Sequence, residues 1–179
     1  MPANIEIKAI LQDRDRERVE AIAARLSDAA PLSDAAPELI HQEDYFFRSP
    51  EARLKLRMLG PDRGELIRYE RANLAETRCS RYLIARTSDP RILLEILDKT
   101  LGKIGEVKKD RTLYRIGQTR IHLDRVTGLG DFLELEVVLR PEQSEQEGKK
   151  IANDLLSTFN IAKKDLIAEA YIDLLAARS

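Results

Sequence analysis

The sequence carries a single cysteine, Cys79, in 179 residues. That count excludes an intrachain disulfide and a cysteine-held metal cluster, and it fits a cytoplasmic protein. Long hydrophobic runs are lacking as well: no apolar stretch approaches the roughly 20 residues that a membrane-spanning helix needs. The opening Met1-Pro2-Ala3-Asn4-Ile5-Glu6 has neither the basic segment nor the apolar run of a leader. The chain therefore reads as soluble, with no membrane partner. An excess of either charge is missing too, since 30 basic and 31 acidic side chains leave a net charge of -1. A nucleic-acid binder driven by bulk charge is disfavoured, and any strong field must come from local segregation.

What the chain does have is charge alternating with apolar residues at strand period. Ile5-Glu6-Ile7-Lys8, Leu54-Lys55-Leu56-Arg57 and Leu133-Glu134-Leu135-Glu136 are the clearest cases. Residues two apart on a strand share a face, so the charges line one side and Ile and Leu the other. The acids fall on the outermost strands and the bases on the inner ones, the pairing a metal-bound polyphosphate needs. The same parity aligns Arg53, Lys55 and Arg57; Tyr69 and Arg71; Arg78, Ser80 and Tyr82; Lys109, Arg111 and Arg115; and Arg120, His122 and Asp124.

The periodicities predict strand, helix, four strands, helix, three strands and two helices, in one domain over 1–179. Strands are expected at 4–11, 42–48, 52–58, 64–71, 76–86, 106–116, 119–126 and 131–140. Val19, Ile22, Ala23 and Leu26 mark the first helix, and Ile92, Leu93, Ile96 and Leu97 the second, over 90–101, after Ser88 or Asp89 as cap. The tail from Ser144 gives two amphipathic helices broken near Asn160. LSDAAP at 26–31 recurs at 32–37, each copy ending in proline, and reads as a loop insertion without chemistry. Gly128-Leu129-Gly130 reads as a hairpin loop, not a phosphate loop, because no helix follows it.

Eight strands without strand-helix-strand rhythm point to an α+β fold with an antiparallel sheet. The charged face of such a sheet can simply be solvated. The helices, however, need the Ile and Leu face, so closing the sheet turns the charges inward. An empty barrel of desolvated bases and carboxylates is unfavourable, and a triphosphate with a hard divalent cation relieves it.

Several runs together resemble one family. They are the alternation at 6 and 8, Asp44-Tyr45-Phe46-Phe47 followed by Arg53-Leu54-Lys55-Leu56-Arg57, and Leu123-Asp124-Arg125-Val126 leading through the glycine pair into Phe132-Leu133-Glu134-Leu135-Glu136. This pattern resembles the CYTH superfamily, or triphosphate tunnel metalloenzymes, with spacing most similar to the CyaB-like class IV adenylyl cyclases. The resemblance implies an eight-stranded antiparallel barrel around a triphosphate tunnel, helices outside, and Mg²⁺ or Mn²⁺ as cofactor. It implies Glu6, Asp124, Glu134 and Glu136 as metal ligands and Glu6 and Lys8 as catalytic residues. Lys8, Arg53, Lys55, Arg57, Arg71, Arg78, Lys109, Arg111 and Arg120 would contact phosphates. Arg71 stands where many relatives place lysine, and Asn4 where the first motif glutamate is expected, which replaces a charged ligand by a neutral amide.

The implied partner is a triphosphate-bearing small molecule such as ATP or tripolyphosphate. The implied reaction is cyclisation of ATP or hydrolysis of a triphosphate; a non-catalytic polyphosphate binder is the third reading. Cys79 alternates away from Arg78 and reads as a small packed residue. His122 shares a face with Arg120 and Asp124, which leaves substrate contact, proton transfer or a structural hydrogen bond open. His41 reads as surface, and Lys149-Lys150 and Lys163-Lys164 as solvated helix positions without interleaved aromatics. The C-terminal helices could cover the barrel or pair two chains as a homodimer.

Overall fold

Each predicted strand forms, and the eight close on themselves. The computed structural model describes residues 3–28, 36–71 and 77–178. Its elements are β1 (Ala3–Leu11), α1 (Asp13–Asp28), β2 (Glu38–Phe47), β3 (Arg53–Gly60), β4 (Arg63–Arg71), β5 (Arg78–Thr87), α2 (Pro90–Leu101), β6 (Lys103–Ile116), β7 (Thr119–Val126), β8 (Gly130–Val138), α3 (Glu145–Thr158) and α4 (Tyr171–Ala176). The strands form a closed antiparallel barrel in the order β1-β5-β4-β3-β2-β6-β7-β8. Most of the LSDAAP repeat lies outside the described residues.

Closure puts the first and last strands side by side, with Glu6 opposite Glu136 and Lys8 opposite Glu134. The odd-numbered residues of β1, β7 and β8 point outward. Ile5, Ile7, Ile121, Leu123, Leu133, Leu135 and Val137 build the main core there with Val19 and Ala23 of α1 and Ala152 and Leu156 of α3. The main hydrophobic core thus lies between barrel and helices, and the lumen is lined mostly by polar groups, with Ile40, Phe46, Ile67, Ile84, Val107 and Leu113 among them. Gly148 permits this approach, since a Cβ there would come within 2.5 Å of Leu139 and 2.7 Å of Ile5. A capping box starts α3: the Glu147 amide donates to the Ser144 hydroxyl, and the Ser144 amide donates to the Glu147 carboxylate.

Three expectations shift. Strand β2 begins at Glu38, because its pairing with β6 runs as far as Leu113. Helix α2 rests on β2, β3 and β4 but leaves Ile92 and Ile96 exposed, burying Pro90 instead. The second tail helix shrinks to α4. After Asn160, whose φ of 51° ends the run of α3, the chain makes a short 3₁₀ turn (Lys163–Asp165) and then binds to β1. Leu166 bridges Ala9, and the Ile167 amide donates to the Lys8 carbonyl. Backbone pairing with a strand replaces the helical bonds those residues would otherwise make. The 127–129 loop joins β7 to β8 with Gly128 and Gly130 at φ 81° and 105°, a hairpin connection as read from the sequence.

Candidate functional site

The lumen holds a cavity of about 750 Å³. In a ring of eight strands, the strand four places on lies across the lumen, so β8 faces β3, β7 faces β4, and β6 faces β5. Glu134 and Glu136 therefore look across at Lys55 and Arg57, and all four line the cavity with Glu6, Lys8, Lys109, Arg111 and Arg120. The acidic wall of Glu6, Glu134 and Glu136 is interleaved with Lys8, Arg111 and Arg120, and the basic wall of Lys55 and Arg57 stands on the opposite side of the ring.

The basic wall is held by Asp44, a residue to which sequence reasoning gave no role. Its carboxylate accepts from Lys55 Nζ at 2.7 Å, Arg57 Nε at 3.0 Å and Gln42 Nε2 at 3.1 Å. Burial pushes this carboxyl up, but the charges of Arg57 and Lys55 outweigh it and hold Asp44 far below the usual carboxylate range. Inward parity on β2 beside Gln42 and Phe46 was the signal that could have found it.

A second buried cluster centres on Asp124, which has no exposed surface. It accepts from Arg111 Nε and Nη2, both at 2.6 Å, from Lys109 Nζ at 3.0 Å and from the Tyr171 hydroxyl at 3.0 Å. Here too burial raises the carboxyl, and Arg111 and Lys109 hold it well below its ordinary value. Asp124 is not among the cavity-lining residues; it sits behind two cations that are. Arg111 also reaches Glu134 at 2.8 Å, and Arg120 reaches Glu136 at 3.0 Å. Burial would raise Glu134 and Glu136; His122, with Lys8, Arg111 and Lys109 around Glu134 and Arg120 beside Glu136, keeps both below the ordinary range.

The tail supplies contacts that no local pattern announces. Lys8 Nζ donates to the Glu169 carbonyl at 3.2 Å and lies 3.9 Å from the centre of the Tyr171 ring, with Lys109 at 5.0 Å from it. Arg53, expected on phosphate, turns to Asp173 of α4 at 2.6 Å and is not part of the lining. The side chains of Arg71 and Arg78 lie outside the described residues. Asn4 is buried and accepts from the Tyr82 hydroxyl at 3.4 Å. Cys79 packs against the main core, and burial pushes its thiol up.

The donor set suits a hard cation. Glu6 and Glu136 are directly opposed across two strands, where like charges repel, and Glu134 is two residues on. Among the described residues, no group of three or more His, Cys, Asp or Glu side chains is disposed to hold an ion unaided. Mg²⁺ is commonly held by one or two carboxylates with substrate phosphates completing its shell, and the acidic wall fits an ion that arrives with a polyphosphate.

Lys55 gives the site a pH dependence. Burial lowers its ammonium, with Asp44 countering and Arg57 and Lys109 adding, to about 8. The unfolded chain thus binds more protons between about 8 and the ordinary lysine value of about 10.4, so this group's contribution to stability rises with pH through that window. Anion binding runs the other way, because it needs the ammonium. Affinity for tripolyphosphate is expected to fall above pH 8 by up to about tenfold per pH unit, with proton uptake on binding. Calorimetry near pH 8 in buffers of differing ionisation enthalpy checks this; identical heats would rule it out.

A closed antiparallel barrel with helices outside and an acidic wall facing a basic one across its lumen defines the tunnel-barrel class of protein. Within that class the chain belongs to the CYTH family, whose domain matches residues 3–171. No curated protein matches it. Among solved structures, the PH1012 protein of Pyrococcus horikoshii OT3 is similar, with 24% identity and a TM-score of 0.79 over 96% of this chain and 98% of that one. A candidate adenylate cyclase from Vibrio parahaemolyticus has 19% identity and a TM-score of 0.72 over 97% of both chains. The Pct1 RNA triphosphatase of S. pombe has 12% identity and a TM-score of 0.54 over 99% and 82%. At these identities the likeness establishes the fold. Among the described residues no helix is long and apolar enough to cross a membrane.

Proposed function

We propose that this protein is a cytoplasmic, divalent-metal-dependent enzyme that acts on a triphosphate in the barrel lumen, converting ATP to cyclic AMP and pyrophosphate. The observation that carries the reading is the pair of opposed walls. Lys55 and Arg57 face Glu134 and Glu136 across the lumen, a layout that binds phosphate oxygens on one side and a cation on the other.

In this reading Lys8, Lys55, Arg57, Lys109, Arg111 and Arg120 hold the phosphate chain and offset the charge that gathers on the leaving pyrophosphate. Asp44 and Asp124 are positioning residues: each fixes two cations at hydrogen-bond distance, so little reorganisation is needed when the ligand enters. Glu6, Glu134 and Glu136 would hold Mg²⁺ or Mn²⁺, which supplies Lewis-acid polarisation of a phosphoryl oxygen. The ribose 3′-hydroxyl oxygen then bonds to the α-phosphorus and releases its proton to solvent water, while the bond from the α-phosphorus to the bridging oxygen breaks and pyrophosphate departs.

The structural likeness to an RNA triphosphatase supports a second reading, hydrolysis, in which water attacks a terminal phosphorus in the same lining. Purified protein incubated with ATP or tripolyphosphate plus Mg²⁺ or Mn²⁺ separates the two. Cyclic AMP and pyrophosphate from ATP support cyclisation; orthophosphate from tripolyphosphate with no cyclic AMP from ATP sinks it.

Asn4 gives a further expected result. It lies two residues from Glu6 on the inward face of β1, opposite Ser80 and Val138, where the resemblance places a glutamate. Asn4→Glu is expected to raise turnover several-fold at limiting Mn²⁺ by restoring an anionic ligand. Titrating Mn²⁺ against rate for both proteins checks it; unchanged half-saturation and unchanged maximum rate would show that the amide limits nothing.

A further inference from the structure

The C-terminal segment crosses one end of the barrel and is pinned on both sides of it. Leu166 and Ile167 pair with β1, and Ile172 lies so close to Gly105 of β6 that a Cβ there would come within 2.5 Å of its side chain. Asp173 accepts from Arg53 of β3 and from the Ala170 amide. Since β1 lies three places round the ring from both β3 and β6, these anchors leave Tyr171 little freedom. Its side chain is buried, lines the cavity and tilts against Phe132 with ring centres 4.9 Å apart.

Two cations rest on this ring. Lys8 Nζ lies 3.9 Å from its centre and Lys109 Nζ 5.0 Å, both within the roughly 6 Å over which a ring face attracts a cation. Both lysines are buried, where such contacts are strongest. Carboxylates compete for the same ammonium groups: Glu134 stands opposite Lys8 on β8, and Asp124 accepts from Lys109. A carboxylate neutralises the cation it holds, and a phosphate has to displace it. An aromatic face attracts through its quadrupole, so it fixes where the ammonium sits and leaves the full positive charge for an anion. The Tyr171 hydroxyl acts in the same direction, because it donates to Asp124 Oδ2, the oxygen that Lys109 also uses, and so weakens the pull of that carboxylate on the lysine.

We propose that Tyr171 is a positioning residue for the triphosphate, its ring holding the Lys8 and Lys109 ammonium groups at the lumen so that phosphate oxygens meet them already in place. The inference rests on the triphosphate reading and adds the C-terminal segment to the binding site. Affinity is gained because the two lysines reorganise little when the ligand enters. Without the ring, Lys8 shifts toward Glu134 and Lys109 closer to Asp124, and binding then includes the cost of drawing both away.

The test varies the electrostatics of the ring at nearly constant shape, so that folding is spared. Wild type, Tyr171→Phe, and the protein carrying mono-, di- or trifluorinated phenylalanine at position 171 are compared by calorimetric binding of imidotriphosphate in Mg²⁺, with melting temperature as the check on the fold. Tyr171→Phe is expected to stay within about threefold of wild type, and affinity to fall stepwise with each fluorine, by about tenfold over the series. In a Lys8→Met background the same series should lose no more than about threefold, because the ring then has only Lys109 to hold. A packing role for Tyr171 predicts no trend with fluorination. A flat series in a protein that binds imidotriphosphate, or an equal fall in both backgrounds, overturns this proposal alone. A wild type that binds no imidotriphosphate overturns the triphosphate reading with it.

Discussion

Replacing Asp124 by asparagine is expected to cost about 3–5 kcal/mol of folding stability, the range for removing one partner of a buried ion pair. The substitution keeps shape and removes charge. Lys109 and Arg111, at 5% and 7% exposure, then lose the carboxylate that neutralises them, and Arg111 keeps only Glu134. Denaturant unfolding at neutral pH reads the effect as a lower midpoint with unchanged slope. Its pH dependence follows from the sign of the shift. Asp124 is held below its ordinary value in the fold, so its contribution is present above the unfolded carboxyl value of about 3.9 and disappears as pH falls through the lower folded value. The gap between wild type and variant should therefore be constant from pH 8 to about 5 and close in strong acid. A metal-ligand role predicts something else: a gap that opens only with Mn²⁺ present. A loss below about 1 kcal/mol without metal would sink the anchoring role.

Much of this architecture is legible in the sequence because strand parity is a strict rule. Alternation at Glu6 and Lys8, Lys55 and Arg57, and Glu134 and Glu136 fixes which side chains share a face, and the Ile and Leu residues between them fix which face the helices cover. Parity does not say which charges meet. That Glu6 stands opposite Glu136 depends on β1 pairing with β8 across 130 positions of chain, and nothing local encodes that register. Nor does parity rank partners: Asp124 shares its face with Arg120 and His122, yet it is bound by Arg111 and Lys109 of the neighbouring strand and drawn behind the lining. The tail was the least legible part. Residues 161–175 carry a helical apolar pattern, but Leu166 and Ile167 find backbone partners on β1. The chain then delivers Tyr171 to Asp124 and Asp173 to Arg53, so a cation expected on phosphate is held by α4 instead.

The acidic wall yields the largest expected effect on turnover. Glu134 lies between Lys8 on β1 and His122 on β7, and it accepts from Arg111, which Asp124 also holds. Glu134→Gln therefore leaves Arg111 with a buried counter-charge, and the loss of stability should be well below that of Asp124→Asn. Activity should respond in the opposite proportion. If Glu134 helps to hold the cation that polarises the reacting phosphate, the neutral amide removes charge stabilisation made chiefly in the transition state, and kcat should fall about 10²–10³-fold. Binding of the triphosphate in the absence of metal should be unchanged or tighter, because the carboxylate repels phosphate and the amide does not. That combination, a large loss in kcat with metal-free affinity preserved and melting temperature nearly unchanged, separates a metal-bearing carboxylate from one that merely orients Arg111. A variant that keeps kcat within tenfold of wild type at saturating Mn²⁺ would remove Glu134 from the metal site. The cation would then rest on Glu6 and Glu136, which stand opposite each other on β1 and β8, and Glu134 would serve only to orient Arg111.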